Sequence, residues 1–456
     1  MTTFASINPH RPSDVVVEAE AAGPRGVDAA VSSARSAFGS WAREPAPTRG
    51  AALAAIAADL ERRASEVADL VVREVGKPVG EARGEIARGV AILRYHAQTV
   101  LLPDGETYPS TDGASWLLAR RRPVGVCALI TPWNFPVAIP LWKLAPAVGC
   151  GNTAVLKPAP HATATAQLLA AIASQHLPDG VLRLALGDAE TGGPLVDHPD
   201  VAAVSFTGSV AVGQSIAAQA AGRGARVQCE MGGQNASVVL ADADLGAAAD
   251  TISFAAMGYA GQKCTATSRV IVESSVYEEF RDRLVAAVED MGVVDPSSES
   301  CEVGPLIEDE ARSSALGAIE ASGGRVAAGG EELAEDGFYL APTLVEVADP
   351  ADVLAQEEVF APVAALLRAA SAEDAIRLAN GVRHGLVAAV FTRDLGRAIE
   401  FTSSLDAGLV RANAPTSGVD FHAPFGGSKA SSIGPREQGL AARDFYTETH
   451  TMLVSP

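Results

Sequence analysis

One cysteine stands in a stretch that could do chemistry: Gly261-Gln262-Lys263-Cys264-Thr265-Ala266-Thr267-Ser268-Arg269. Small and polar side chains surround it, a helix-like segment precedes it, and the apolar run Val270-Ile271-Val272 follows. A thiolate is the most reactive side chain near neutral pH, so such a cysteine can serve as a nucleophile. It can equally be a small residue filling space, and nothing inside the stretch decides between the two. Four other places bear on the choice. Asn134, Lys157, Gly208-Ser209 and Glu230 each fall at or just past the end of a short apolar run, at 126–130, 153–157, 201–206 and 226–230. An amide, an ammonium, a glycine turn and a carboxylate delivered to one sheet edge exceed what core packing requires.

The elements that would position them can be read from the pattern. The short runs alternate with Ala- and Leu-rich helical segments at 139–151 and 163–176, which argues for a parallel, doubly wound sheet. In such sheets ligands bind beyond the carboxyl ends of the strands. Phe206-Thr207-Gly208-Ser209-Val210-Ala211-Val212-Gly213 reads as strand, tight turn and helix start, whose free backbone N–H groups would suit a diphosphate. The usual GxGxxG is absent, and a plain strand–turn–helix reads the same way. Lys157 and Glu230, taken singly, are also compatible with a solvated lysine and a salt-bridged strand-end acid.

Upstream, residues 1–25 are polar and turn-rich, with little periodicity. Helices are expected from Gly26, over 48–75 and over 81–100, with Gly76-Lys77-Pro78 stopping the second. Residues 101–123 read as two strands around a turn, a projecting arm whose Arg120-Arg121-Arg122 suits an interface or a solvated face. Downstream, Asp242-Ala243-Asp244-Leu245 caps a helix reaching about Tyr259, and Gly261 ends it just before Cys264. A strand at 269–272 and a helix at 277–291 follow.

With 456 residues, two or three domains are expected. A hydrophobic content of 48% with 20% charged residues is globular. The net charge of −20 argues against nucleic acid or anionic membrane as a partner. Cys127, Cys150, Cys229, Cys264 and Cys301 are scattered with no CxxC pair, which fits neither a disulfide framework nor a zinc site and points to a reducing compartment. No signal peptide and no apolar run long enough to span a bilayer are evident, so a soluble cytoplasmic protein without a metal is expected.

Taken together, Thr131-Pro132-Trp133-Asn134-Phe135-Pro136, Lys157-Pro158, Phe206-Thr207-Gly208-Ser209, Glu230-Met231-Gly232-Gly233, 261–269 and Glu358-Val359-Phe360 resemble the aldehyde dehydrogenase superfamily in order and spacing over nearly the whole chain. The resemblance implies an α/β fold with a Rossmann-type NAD(P)-binding domain (1–104 and 124–231), an α/β catalytic domain (232–425) and a small β oligomerisation arm (105–123 and 426–456). It implies Cys264 as nucleophile, Asn134 as oxyanion donor and Glu230 as the base that hydrolyses a thioester. Ile130, Thr131, Pro132, Trp133, Lys157, Gly208, Ser209, Gly213, Glu358 and Phe360 would hold NAD or NADP. Of these, Lys157 and Glu358 would take the adenosine and nicotinamide ribose hydroxyls, Ser209 the pyrophosphate, and Phe360 the nicotinamide side. The partner is a small aldehyde, and a homodimer or homotetramer is expected.

A narrower similarity, to α-ketoglutaric semialdehyde (2,5-dioxopentanoate) dehydrogenases, lies in 261–269, 413–422, Pro424-Phe425-Gly426-Gly427 and 434–439. The substrate pocket would be lined by Phe135, Trp142, Val419 and Phe425, and Lys143, Arg411 and His422 are candidate cations for a distal carboxylate. Pro160 stands three residues after Lys157, where NAD-restricted relatives carry a glutamate, so NADP acceptance is expected. Ala361 replaces the usual glycine after Phe360. The alternatives are a dehydrogenase for another aldehyde, a CoA-acylating relative, a thiol hydrolase, and a non-enzymatic binding or structural protein. Relatives that release to CoA typically lack the glutamate found at 230.

Overall fold

Every residue of the strands Val126–Thr131 and Thr153–Pro158 is buried, as runs of Val, Ala and Leu require when both faces of a sheet are covered. The computed structural model, which describes residues 2–333 and 336–456, shows what covers them. Val126, Ala128 and Ile130 pack with Val27 and Val31 of helix Gly23–Trp41 and Ile216 of helix Val210–Gly222. Cys127 and Leu129 point the other way, to helices Val79–Thr99, Ala138–Gly149 and Thr163–Ser174. The period-two alternation of side chains therefore buries both faces.

The six strands of this sheet run Ser432–Ile433, Arg226–Met231, Val201–Gly208, Val126–Thr131, Thr153–Pro158, Leu182–Leu184, all parallel except the first. A second, seven-stranded sheet runs Arg325–Ala328, Thr343–Glu346, Val363–Ala369, Thr267–Glu273, Asn235–Val239, Val387–Phe391, Leu409–Ala412. It is parallel except at Arg325–Ala328. Its core includes Val238, Val270, Ile271, Leu366 and Val390, with Ile252 and Phe280 from covering helices. The two α/β sheets match the expected fold class.

A third sheet joins Gly105–Tyr108, Trp116–Pro123 and Thr447–Val454, all antiparallel, and leaves Trp116, Leu453 and Val454 exposed. Of the tail 426–456, grouped above with the arm, Thr447–Val454 pairs there. Ser432–Ile433 instead pairs with Cys229 and Glu230, and Ser428–Lys429 with His384–Gly385. The tail thus forms a two-stranded ladder with His384–Gly385 and then adds a strand to the first sheet before it reaches the arm, long-range pairings that local pattern does not register.

Two local expectations need correction. Residues 1–25 are not irregular: Thr3–Asn8 and Arg11–Glu20 form an antiparallel hairpin with shifted register at Ser6–Asn8, which blurs its alternation. The helix expected over 48–75 is two, Ala46–Arg62 and Ala64–Val75, interrupted at Arg63 with φ −99° and ψ 16°. Among the described residues, no helix is long and apolar enough to cross a membrane.

Candidate active site

Strand order sets the site. Ile130 pairs with both Lys157 and Phe206, and Thr207 pairs with Glu230, so four strands end in one row. Buried polar atoms without partners collect along that row: Thr131 Oγ1, Thr207 Oγ1 and Glu230 Oε1. Leaving such atoms unpaired costs on the order of 1–3 kcal/mol each, so three on adjacent strands mark a place shaped for a ligand.

The residues expected to hold a dinucleotide lie along this edge. Lys157 is buried, donates to the Pro158 carbonyl at 3.2 Å, and is pushed down to about 8 by desolvation. Such an ammonium gains much from a hydroxyl or phosphate partner. Ser209 is the exposed N-cap of helix Val210–Gly222, and no side chain caps the N–H groups there. Gly213, in the first turn, lets Met231 come so close that any Cβ would collide with its sulfur. Pro132 and Trp133 are half-buried at the end of strand Val126–Thr131, and the Trp133 ring meets Phe360 edge-on at 5.9 Å. Phe360 sits in the left-handed region at φ +56°. Glu358 accepts the Gly233 N–H at 3.1 Å, and burial lifts its carboxyl to about 7. Free N–H groups, a desolvated ammonium, orphan hydroxyls and an aromatic wall fit a dinucleotide.

The Cys264 segment leads into the second sheet at strand Thr267–Glu273. Helix Leu245–Met257 ends earlier than expected, and Tyr259, Ala260 and Gly261 follow with φ of 57°, 53° and 66°. Three consecutive left-handed residues are costly for Tyr and Ala, and such strain concentrates at functional sites. Side-chain bonds hold it. Gln262 Nε2 donates to the Pro305 carbonyl at 3.1 Å, and its Oε1 accepts the Ile307 N–H at 2.9 Å. Asn235 Nδ2 donates at 2.8 Å to the carbonyls of Cys264 and Ala266. Gly261 is required sterically, because the Ala361 carbonyl lies against it.

The two sheets meet at Asn134, Cys264 and Glu230, the residues expected to be catalytic. Asn134 is buried, and its Nδ2 donates to the Gln262 carbonyl at 2.9 Å, which spends one of two N–H donors and points the amide at the Cys264 loop. The Cys264 N–H donates to no other described residue. Its thiol is pushed up to about 12, first by burial and then by the Glu358 and Glu230 charges. Glu230 is 2% exposed, and its Oε2 accepts from Ser432 Oγ at 2.6 Å. Burial and the facing Glu437 carboxylate raise it well above the usual range, against pulls from Ser432, Lys143 and Arg436. Cys264, Asn134 and Glu230 are thus brought together.

Glu437, within the 434–439 segment, organises the layer behind Glu230. It accepts from Trp142 Nε1 at 2.8 Å and Ser205 Oγ at 3.1 Å, and pairs with the fully buried Lys143 ammonium. Lys143 is therefore not free for a substrate carboxylate. Arg411 is also engaged, donating to the carbonyls of Pro415, Ser417 and Gly418, and His422 is exposed beside Phe421. No local signal could have found the Glu437 partners, because Ser205, Lys143 and Trp142 lie 232, 294 and 295 residues from it in sequence.

The residues expected to line a substrate pocket converge in part. Trp142 and Phe425 pack with ring centroids 5.7 Å apart, and Phe135 meets Tyr259 at 6.5 Å with the Lys77 ammonium 3.9 Å from its ring. Val419 is half-buried in the 413–425 loop, which Thr416 ties to Thr267 through a 2.9 Å hydroxyl contact.

Comparison with known proteins agrees with this geometry. The aldehyde dehydrogenase family profile matches residues 1–452. The chain is 42% identical to an alpha-ketoglutaric semialdehyde dehydrogenase of Bacillus subtilis (strain 168), covering 98% of this chain and 94% of that one. It is 36% identical to a 2,5-dioxopentanoate dehydrogenase of Saccharolobus solfataricus, covering 98% and 95%. The crystal structure of betaine aldehyde dehydrogenase from Staphylococcus aureus in complex with NAD+ superimposes with a TM-score of 0.97 at 30% identity, covering 100% of this chain and 92% of that one. The chain belongs to the aldehyde dehydrogenase family and is an NAD(P)-dependent oxidoreductase acting on a small aldehyde.

Proposed function

We propose that this enzyme oxidises a carboxylated semialdehyde, α-ketoglutaric semialdehyde, to the dicarboxylic acid, with Cys264 as nucleophile, Asn134 as oxyanion donor and Glu230 as base. The observation that carries the mechanism is the convergence of a strained cysteine loop, the Asn134 amide bonded into it, and a buried carboxylate with one free oxygen. The substrate rests on the two semialdehyde and dioxopentanoate relatives, aligned over 98% of this chain.

Cys264 Sγ must lose its proton before attack, and Glu230, whose charge is felt at the sulfur, is placed to relay it through water. As sulfur bonds to the aldehyde carbon, the oxygen takes negative charge. The remaining Asn134 N–H and the Cys264 backbone N–H then stabilise it, as preorganised donors do. Lys157, Ser209, Glu358 and Phe360 along the strand-end row would hold NAD(P), which would supply the hydride acceptor. Loss of hydride leaves an acyl group on Sγ, and Glu230 takes a proton from the water that attacks it. The free Glu230 oxygen favours hydrolysis over release to CoA.

Pro160 opens a short turn, Pro160–Ala162, and offers no carboxylate to the adenosine ribose, which supports NADP alongside NAD. The arm sheet, with exposed Trp116, Leu453 and Val454, is the surface suited to pair copies of this chain into a homodimer or homotetramer.

The test is a panel of aldehydes with NAD and NADP, with and without CoA, read as reduced cofactor. 2,5-Dioxopentanoate should give the highest kcat/KM, with no need for CoA. Equal turnover of length-matched uncharged aldehydes would remove the substrate assignment, and CoA dependence would remove Glu230 as the hydrolytic base.

A further inference from the structure

A carboxylated substrate needs a cation at the mouth of the cleft, and the obvious ones are occupied. Lys143 is neutralised on Glu437, Lys77 on Glu85, and Lys263 on Glu81 at 2.7 Å. The Arg411 guanidinium is divided among three loop carbonyls. One half-buried guanidinium in this neighbourhood is not spent: Arg88, in helix Val79–Thr99, makes no hydrogen bond or ion pair with any described residue.

Its position follows from helix geometry. Glu85, one turn earlier, accepts the N–H groups of Val137 and Ala138 at 2.8 Å, which sets this side of the helix against the start of helix Ala138–Gly149. Gly89, the next residue, is pressed so close to Leu141 that an added Cβ would meet it at 2.9 Å. Two turns on from Arg88, Tyr95 touches Phe421 of the 413–425 loop, ring centroids 5.9 Å apart. Arg88 therefore stands where that helix, the helix bearing Trp142, and the loop bearing Val419 and Phe425 come together. Burial lowers Arg411's affinity for its proton, exposed Asp420 opposes that, and the Arg88 charge reaches Arg411 and lowers it further. Around Arg411, one further guanidinium, Arg88, is set against one exposed carboxylate, Asp420, in a chain whose net charge is −20. Such an excess of positive charge, partly desolvated, is a site for an anion.

We propose that Arg88 holds the distal carboxylate of the substrate at the rim of the cleft, while Arg411 braces the loop beside it. This rests on the carboxylated-semialdehyde reading above. The aldehyde end then enters past Phe135 and Trp142 toward Cys264, and Arg88 selects for charge without touching the reacting carbon.

The experiment compares kcat and KM for 2,5-dioxopentanoate and for pentanal in wild type, Arg88→Gln and Arg88→Lys. A lost charge-assisted bond predicts a fall of about 10- to 100-fold in kcat/KM for dioxopentanoate in Arg88→Gln, carried by KM. Pentanal should change by less than about 3-fold, because it makes no such bond. Arg88→Lys should retain part of the preference. Competitive inhibition by 2-oxoglutarate should weaken in parallel in Arg88→Gln. Equal losses for both aldehydes, or none, would overturn the assignment while leaving the substrate reading intact if wild type still prefers dioxopentanoate. A wild type without that preference would overturn both. If Arg88→Gln does not fold, Arg88→Lys decides: a raised KM for dioxopentanoate and weaker 2-oxoglutarate inhibition, with pentanal unchanged, support the carboxylate contact, and a loss equal for both aldehydes, or no change at all, overturns it.

Discussion

The carboxyl ends of the two sheets are built in opposite ways. On the first sheet, three adjacent strands end in buried polar atoms without partners, at Thr131, Thr207 and Glu230, and Lys157 holds only a neighbouring carbonyl. On the second, the Cys264 loop is tied at nearly every turn, by Gln262, Asn235 and Asn134, through a backbone forced into the left-handed region. The first side leaves polar groups unsatisfied for a ligand that comes and goes. The second keeps one sulfur in place, with its strain held by bonds made in advance. A dissociable cofactor and the proposed covalent intermediate ask for these two solutions.

The comparison breaks first at the sulfur. Cys264→Ala should abolish turnover, by at least about 10⁴-fold as for other removed nucleophiles, while NAD(P) still binds on the first sheet in a fluorescence titration. Residual dehydrogenase activity near wild type would remove the nucleophile assignment. Glu230→Gln should lower kcat by roughly 10²- to 10⁴-fold, the range for a lost general base, with one equivalent of reduced cofactor appearing as a burst before the acyl-enzyme stalls. Steady turnover without a burst would assign hydrolysis elsewhere. Asn134→Ala should cost about 10²- to 10³-fold in kcat with a smaller change in KM, as for a lost oxyanion donor. It also releases the Gln262 carbonyl, so a thermal melt separates a loosened loop from a lost donor.

The pH dependence probes both sides together. Glu230 is raised well above its ordinary range and Glu358 to about 7, so both hold more protons at neutral pH than exposed glutamates do. The working base is the ionised form, which becomes populated as pH rises. The Cys264 thiol, at about 12 in the unliganded protein, changes in the same direction. Acyl-enzyme hydrolysis and the alkylation rate of Cys264 by iodoacetamide should therefore both increase from neutral to alkaline pH. A flat profile would contradict the burial that sets these groups. The smallest effect is expected at Pro160→Glu, which should raise KM for NADP by roughly 10-fold through repulsion of the 2′-phosphate and leave NAD within about 3-fold.

Much of the fold was legible locally. The short apolar strands at 126–130, 153–157, 201–206 and 226–230 appear within a residue or two of their expected ends, because buried parallel strands carry continuous apolar sequence. The hairpin at Thr3–Glu20 was not legible, since its register shifts blur the alternation that marks a half-exposed strand. The tail was assigned to the arm as a block, and the structure divides it among three pairings. Lys143 looked available because nothing near it in sequence is acidic, and Glu437 lies 294 residues away.

The residue types alone determined what chemistry the chain could hold: one cysteine among small neighbours, an amide, a lysine and a glutamate at strand ends, and a turn before a helix. They did so because reactivity and strand ends are local properties. Only the tertiary structure decided which charges are spent and which are left over. Glu230 is perturbed by Glu437, Lys143 is silenced by the same carboxylate, and Arg88 stands unpaired beside Arg411. Electrostatic fate depends on burial and on which distant residue lies within a few ångströms, and folding alone sets both.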